Sequence, residues 1–485
     1  MLVSLYTSRV ILQVLGVEDY GIYNLVAGFV TFFAFISNAL VSAMQRFFNT
    51  ALGKGDVAQY REIYSTSINV VVLFAAVIFL LGETVGLWFV KTQLNIPSER
   101  FAAAIGVYQI SLLTFVVNIM RSSFNASIIA HERMSFYAYV SIFEAAARLA
   151  IVVALQRVGG DKLVAYTWLY LAVTAVMTLV NWSYCRVKFE ECRYSLGFNR
   201  ERFRSLLSFS GWSLVGQSAV VIRNQGEAVL INRFFSVVAN AALGIAHQVT
   251  GALDMFVNNF QTAFNPQIVK TYAARELEQH YLLVCRAGKF SYFLFLALSI
   301  PIVFNIDAIL GWWLGSVPEY VDMFCIFIVA SHLLNAMSVP MTTSIYATGN
   351  IKHFQIWYAA TFLGGLVLSF VCLLLGQPPY VVSVVGIVIQ VVVFALRLHY
   401  VRKTVGLNIR DFVEKTILPA AAVTLIVVLF AYVVNRFVHN AATSLVAILL
   451  DGLCAAGAIF CLGLTKAERE KIVSLCANFI KSRKK

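Results

Sequence analysis

Apolar runs of about twenty residues, parted by short polar stretches, recur along the whole chain. A helix of twenty residues rises about 30 Å, the thickness of the hydrocarbon core of a bilayer. Such runs fall at 1–15, 20–48, 63–90, 101–129, 136–156, 163–184 and 205–233. They continue at 238–264, 290–313, 320–346, 354–376, 380–401, 416–436 and 443–464. The pattern predicts an all-α integral membrane protein with about fourteen transmembrane helices. The first run is short: as a helix it reaches only about 22 Å. The first span is therefore expected to be truncated or its start codon misassigned.

Charge sharpens this picture. Starting inside, every second loop is basic, from Lys54 and Arg61 through Arg133, the cluster Arg186–Arg204, Lys270–Lys289, Lys352 and Arg402–Lys415 to the tail. These loops and the tail hold about 25 of the 37 Lys and Arg residues, whereas the opposite loops hold Lys91, Arg100, Arg157, Lys162, Arg233 and Arg436. The bias predicts a multi-pass membrane protein with both termini cytoplasmic. It also explains the net charge of +13 without nucleic acid. Composition agrees: 13% of residues are charged, about half the share in a soluble chain. No basic, apolar and small-residue series marks a cleavable signal peptide. The segments 185–204 and 466–485 mix apolar and basic residues in a way that suits helices lying on anionic lipid.

A repeat is also present. Gly21-Ile22-Tyr23-Asn24-Leu25-Val26-Ala27-Gly28 and Gly244-Ile245-Ala246-His247-Gln248-Val249-Thr250-Gly251 share G-I-x-x-x-V-x-G. Ser127-Ile128-Ile129-Ala130 and Ser344-Ile345-Tyr346-Ala347 share S-I-x-A. Both matches pair one helix with the sixth after it. They predict two pseudo-symmetric six-helix lobes in parallel orientation, with the substrate path between them. The boundaries expected are an N-lobe at 1–184, an amphipathic cytoplasmic linker at 185–204 and a C-lobe at 205–402. Two further helices at 403–465 and a basic tail at 466–485 follow.

The chain has no phosphate-binding G-x-x-x-x-G-K-[ST] loop, H-E-x-x-H or G-x-S-x-G. Its eight cysteines form no C-x-x-C pair and read as packing residues. No metal or cofactor site is legible. External loops are too short to carry the carboxylates or histidines of a glycan polymerase or acyltransferase, so an enzyme is not predicted.

What the apolar runs do contain is arginine, at positions 9, 46, 121, 148 and 223. An arginine at membrane depth costs roughly 2.5–3.5 kcal/mol on insertion scales, so it is paired, snorkelled or functional. Glu144 lies four residues before Arg148 and Glu227 four after Arg223, the spacing of neighbours on a helix face. Arg46 and Arg121 can also snorkel to the cytoplasmic surface. Arg9 has no acid before Glu18. The guanidinium fork suits a phosphate-bearing cargo. Arg9, Arg46, Arg121 and Arg223 are therefore the candidate cargo-binding residues. Glu83, Glu144 and Asp254 are candidate proton or cation sites, with His247 read as a packing hydrogen-bonder. Asp307 and Asp451, nearer the outer ends, are expected to reach water.

The residues Ser8-Arg9-Val10-Ile11, Leu15-Gly16, Asp19-Tyr20-Gly21-Ile22-Tyr23 and Gln45-Arg46-Phe47-Phe48 resemble bacterial polysaccharide flippases. These belong to the multidrug/oligosaccharidyl-lipid/polysaccharide exporter superfamily. The resemblance implies a two-lobed bundle with a cationic central cavity working by alternating access. It implies, as cargo, an undecaprenyl-pyrophosphate-linked oligosaccharide of O-antigen, capsule or exopolysaccharide type, moved to the outer leaflet. It also implies a polysaccharide polymerase and a chain-length regulator as partners. A multidrug or small-cation antiporter of the same superfamily is the alternative; that chemistry needs cavity acids more than arginines.

Overall fold

The computed structural model describes residues 11, 14–16, 19, 22–23, 34–93, 97–156, 159–195, 199–235, 237–314, 318–406, 408–438, 441–470 and 474. All regular structure among them is helical. Eleven of these helices are long and apolar enough to cross a membrane. The chain divides into two compact units, Met1–Ser218 with Val269–Arg275, and Ala219–Ile268 with Glu276–Lys485.

The helices of the first unit are α1 (Ala34–Gly53), α2 (Val57–Leu81), α3 (Phe101–Ala130), α4 (Met134–Leu155) and α5 (Lys162–Lys188). The first part of α6 (Arg200–Phe234) joins them. Asp56 starts α2 by accepting from the Gln59 N–H at 2.8 Å, as an N-cap carboxylate does. At Gly82–Gly86 the helix loosens into a single π turn before running on to Gln93. The cause lies on α3. A Cβ at Gly82 would sit 2.6 Å from Leu112, and the Tyr108 hydroxyl donates to the Gly82 carbonyl at 2.7 Å. α3 is the core of the unit, packed against α1, α2 and α5, with Tyr60, Tyr64, Tyr108 and Phe48 fully buried around it.

The second unit contains the rest of α6, most of α7 (Val237–Ala273), then α8 (Leu277–Phe304), α9 (Ile306–Leu314) and α10 (Val321–Thr348). It ends with α11 (Lys352–Leu374), α12 (Val381–Val405), α13 (Leu418–Asn435) and α14 (Ala441–Ala458). Here α10 holds the central place, packed against α8 and α12. Gly288 allows the α8 approach: a Cβ there would lie 2.5 Å from the Met337 carbonyl oxygen. Pro340 within α10 lacks an N–H and so leaves the carbonyl of Ala336 without its helical donor. The buried Gln261 side chain of α7 supplies the missing donor at 3.0 Å.

The same local devices recur in both units. The Tyr60 hydroxyl of α2 bonds the Ser127 hydroxyl of α3 at 2.7 Å. His280, at the same position in α8, bonds Ser344 of α10 at 2.7 Å. These serines open the two S-I-x-A matches. The turns before α2 and α8 each contain a left-handed residue, Gly55 (φ 66°) and Arg275 (φ 62°).

Two expectations change. The segment 185–204 is not a separate helix. Residues 185–188 close α5, residues 200–204 belong to α6, and the described residues between them are irregular. That stretch is tied to the first unit: Phe189 stacks on His131 at 3.8 Å, Glu191 bonds His131 at 2.7 Å, and the Ser195 N–H donates to Ser65 at 2.9 Å. Its aromatic residues are anchors for the turn, so their mixture with arginine mimics an amphipathic surface helix. The run at 290–313 is two helices, α8 and α9, parted at Asn305. α8 starts earlier than the apolar run because Arg286 and Lys289 lie inside it, and Lys289 is buried against Glu468 at 2.6 Å. Of the tail, only 466–470 and 474 are described. There Arg469 donates to the carbonyls of Cys461 and Leu464, at 2.6 and 3.0 Å, which close α14 and its π turn.

Candidate functional site

Each membrane-depth arginine among the described residues has a different electrostatic setting. Arg9 lies outside those residues. Arg46, near the end of α1, is half-buried. Its guanidinium rests 4.5 Å from the Phe47 ring centroid and 5.7 Å from that of Phe209. No carboxylate among the described residues is within ion-pair distance, and its buried Nε has no hydrogen-bond acceptor. Aromatic faces stabilise a cation but leave its N–H groups free to donate.

Arg121 and Arg148 share one carboxylate. Glu144 bonds Arg121 across helices at 3.0 Å and Arg148 along α4 at 2.6 Å. The triad keeps one net positive charge. Arg121 and Glu144 face a cavity of about 50 Å³ together with Asn125, Tyr137, Ser141 and Asn181, room for one or two water molecules.

Arg223 pairs with Glu227 at 2.7 Å, and both are buried. The arginine lies against Gly386, where a Cβ would come within 3.0 Å of its NH2 nitrogen. Its guanidinium is 5.8 Å from the Phe362 centroid. Phe362 packs on Tyr358 at 4.8 Å, and a further arginine, Arg397 of α12, lies 5.9 Å from the Tyr358 centroid. Two guanidinium groups thus flank one aromatic pair. Arg397 is 3% exposed and donates to neutral acceptors, Asn335 at 3.0 Å and Ser338 at 2.5 Å. Burial of an arginine on uncharged partners leaves a full charge uncompensated. The sequence pattern passes over Arg397 because it precedes Arg402 and Lys403 and merges with that basic flank.

The candidate acids differ as well. Asp254 bonds His332 at 2.7 Å. Glu144 and Glu227 are each bonded to arginine. Glu83 sits half-buried in the π turn of the α2 run with no ion-pair partner among the described residues. Asp307 is exposed. Asp451, expected near water, is fully buried and accepts from Asn435 at 3.1 Å and Asn305 at 3.4 Å. The break between α8 and α9 delivers Asn305 to it. No group of three or more His, Cys, Asp or Glu residues among the described residues is arranged to hold a metal.

The arrangement of helices is that of the MATE fold, an all-α, multi-pass membrane architecture. The crystal structure of a MATE point mutant superposes with a TM-score of 0.74 at 13% identity, covering 84% of this chain and 92% of the other. A multidrug resistance MATE family transporter of the MOP superfamily, in an outward-facing conformation, gives 0.71 at 12%, with the same coverage. A MOP superfamily transporter from Pyrococcus furiosus, described as having a binding pocket of reverse polarity, gives 0.68 at 13%, covering 83% of this chain and 92% of its own. These likenesses define the fold.

The chain belongs to the polysaccharide biosynthesis protein family, which it matches over residues 1–272. It is also 21% identical over 280 residues to EpsK, an uncharacterized membrane protein of Bacillus subtilis (strain 168). That match covers 57% of this chain and 54% of EpsK, so it spans about half the length of the curated relative. Family and fold together describe an all-α, multi-pass membrane protein of the polysaccharide biosynthesis protein family.

Proposed function

We propose that the protein flips an undecaprenyl-pyrophosphate-linked oligosaccharide from the cytoplasmic to the outer leaflet of a bacterial inner membrane. The observation that carries this reading is Arg46, a guanidinium resting against two aromatic rings with no carboxylate among the described residues to neutralise it. A pyrophosphate accepts from such a fork in two parallel bonds. Arg9 belongs to the same reading, as do the net positive triad at Arg121 and the aromatic ladder at Arg223. The glycan and pyrophosphate travel a basic, hydrated path while the isoprenoid stays in lipid.

The recurrence of Tyr60–Ser127 as His280–Ser344 supports two repeated lobes, 1–184 and 205–402, followed by two helices at 403–465. The full complement is then about fourteen spans, worked by alternating access, with both termini cytoplasmic. Anionic lipids, a polymerase and a chain-length regulator are the partners this reading expects. The multidrug or cation antiporter reading shares the fold, but Glu144, Glu227 and Asp254 are already bonded to arginine or histidine. A cationic drug would have to displace those partners. Export of surface glycan by cells carrying Arg46→Ala tests the proposal. Normal membrane insertion with export lost is expected, and full export would overturn the role of Arg46.

A further inference from the structure

The seam between α7 and α10 is built from side chains reaching across. Three polar links lie along it: Asp254 to His332 at 2.7 Å, Gln261 to the Ala336 carbonyl at 3.0 Å, and Thr343 to Asn265 at 2.9 Å. Two of the links are neutral. The third joins a carboxylate to an imidazole, near the middle of both helices, with the two side chains 29% and 26% exposed. A partly exposed carboxylate–imidazole pair can exchange a proton. Histidine is the side chain whose charge changes near neutral pH. Ionisable groups inside a bilayer are functional by default.

Other groups lie on the helices around this pair. On α7, His247 lies two turns before Asp254, on the same side. On α6, Arg223, paired with Glu227, acts electrostatically on His247, as do His332 and Asp254. On α12, Arg397 is bonded to Asn335, one turn beyond His332. From α8 comes the Phe295 ring, 6.2 Å from the imidazole. The two buried arginines disfavour a metal cation here, and a proton adds charge without needing a coordination shell.

We propose that His332, held by Asp254, is the proton-coupling site of the transporter. With Nδ1 engaged by Asp254 through an Nδ1–H, Nε2 is the atom that takes up and releases the proton. Imidazole plus a proton gives imidazolium, and no other bond changes. In the protonated state the link is a charge-assisted bond, roughly twice as strong as a neutral one. Release of the proton weakens the one charged link of the seam and favours movement of α7 away from α10. Pro266 of α7 and Pro340 of α10 lie beyond this link and give both helices a place to bend. The cargo driven by this proton rests on the flippase reading; the proton site itself does not.

The test therefore has a cargo-free arm. Full-length protein labelled at histidine is placed in lipid nanodiscs and its imidazole resonances are followed with pH, His332 being assigned by its loss in His332→Gln. The His332 resonance is expected to respond to pH in wild type, and that response to change in Asp254→Asn. In liposomes, a one-unit inward proton gradient at one-to-one coupling favours movement of lipid-linked oligosaccharide by about tenfold. That response is expected to vanish in Asp254→Asn and in His332→Gln, whose amide can still donate to Asp254 and preserve the fold. A His332 resonance that does not titrate, or a gradient response kept by both variants, overturns the inference. If wild type moves no cargo under any gradient, the flippase reading fails, and the titration alone decides this one.

Discussion

At the residue scale, what matters is how each buried charge is compensated. Gln261 makes the point with a neutral group: its amide replaces the N–H that Pro340 removes from Ala336. Gln261→Leu leaves that carbonyl orphaned, and is expected to lower stability by about 1–3 kcal/mol, read as a fall in unfolding temperature in detergent. Arg275 offers the opposite case. Its left-handed backbone (φ 62°) stands where the equivalent turn has Gly55. Arg275→Gly is expected to stabilise by about 1 kcal/mol by removing the Cβ penalty. An unchanged or lower unfolding temperature would show that the exposed side chain contributes more than the turn costs. Pairing along one helix is readable in the sequence, since Glu144–Arg148 and Arg223–Glu227 follow from spacing alone. Pairing between helices is not. Nothing in the spacing of Asp254 predicts His332, and nothing in that of Glu144 predicts Arg121.

At the element scale, hydrophobic length locates eleven of the expected spans among the described residues, because bilayer thickness fixes helix length. It fails at helix ends where charged residues remain helical. The charge pattern puts Lys289 and Arg286 in a loop, yet both belong to α8. Close packing is also hidden. Gly288 has the Met337 carbonyl where its Cβ would be, whereas Gly364 of α11 has open space. Gly288→Ala is expected to push α8 off α10 at a cost of about 1–3 kcal/mol; Gly364→Ala should be neutral or slightly stabilising. Equal unfolding temperatures for the two variants would contradict the close approach.

The cap of α5 gives a pH test at the same scale. Asp161 accepts from the Leu163 and Val164 N–H groups, and Arg100 bridges it to Asp19. Partial burial raises the Asp161 carboxyl. Arg100 and the two N–H groups lower it further, so it ends below its ordinary 3.8. A depressed carboxyl contributes stability above its unfolded value and loses it as pH falls through the folded one. The gap in unfolding temperature between wild type and Asp161→Asn should therefore stay constant between about pH 5 and 8 and close only in stronger acid.

At the scale of the whole molecule, the fold is that of MATE transporters, while the family is one of polysaccharide biosynthesis. Fold alone does not choose between a cationic drug and an anionic lipid-linked glycan. The described charges do weigh on that choice: the candidate acids Glu144 and Asp254, and Glu227 besides, are paired with basic partners, while Arg46 and Arg397 have no carboxylate partner among the described residues. The most direct measurement is leaflet translocation of a fluorescent undecaprenyl-pyrophosphate oligosaccharide in liposomes, with wild type beside Arg9→Ala and Arg46→Ala. A charged hydrogen bond contributes about 1.5–3 kcal/mol, so each variant should slow movement by roughly ten- to a hundredfold. Movement by wild type at a rate that both variants match would contradict a phosphate-reading arginine path.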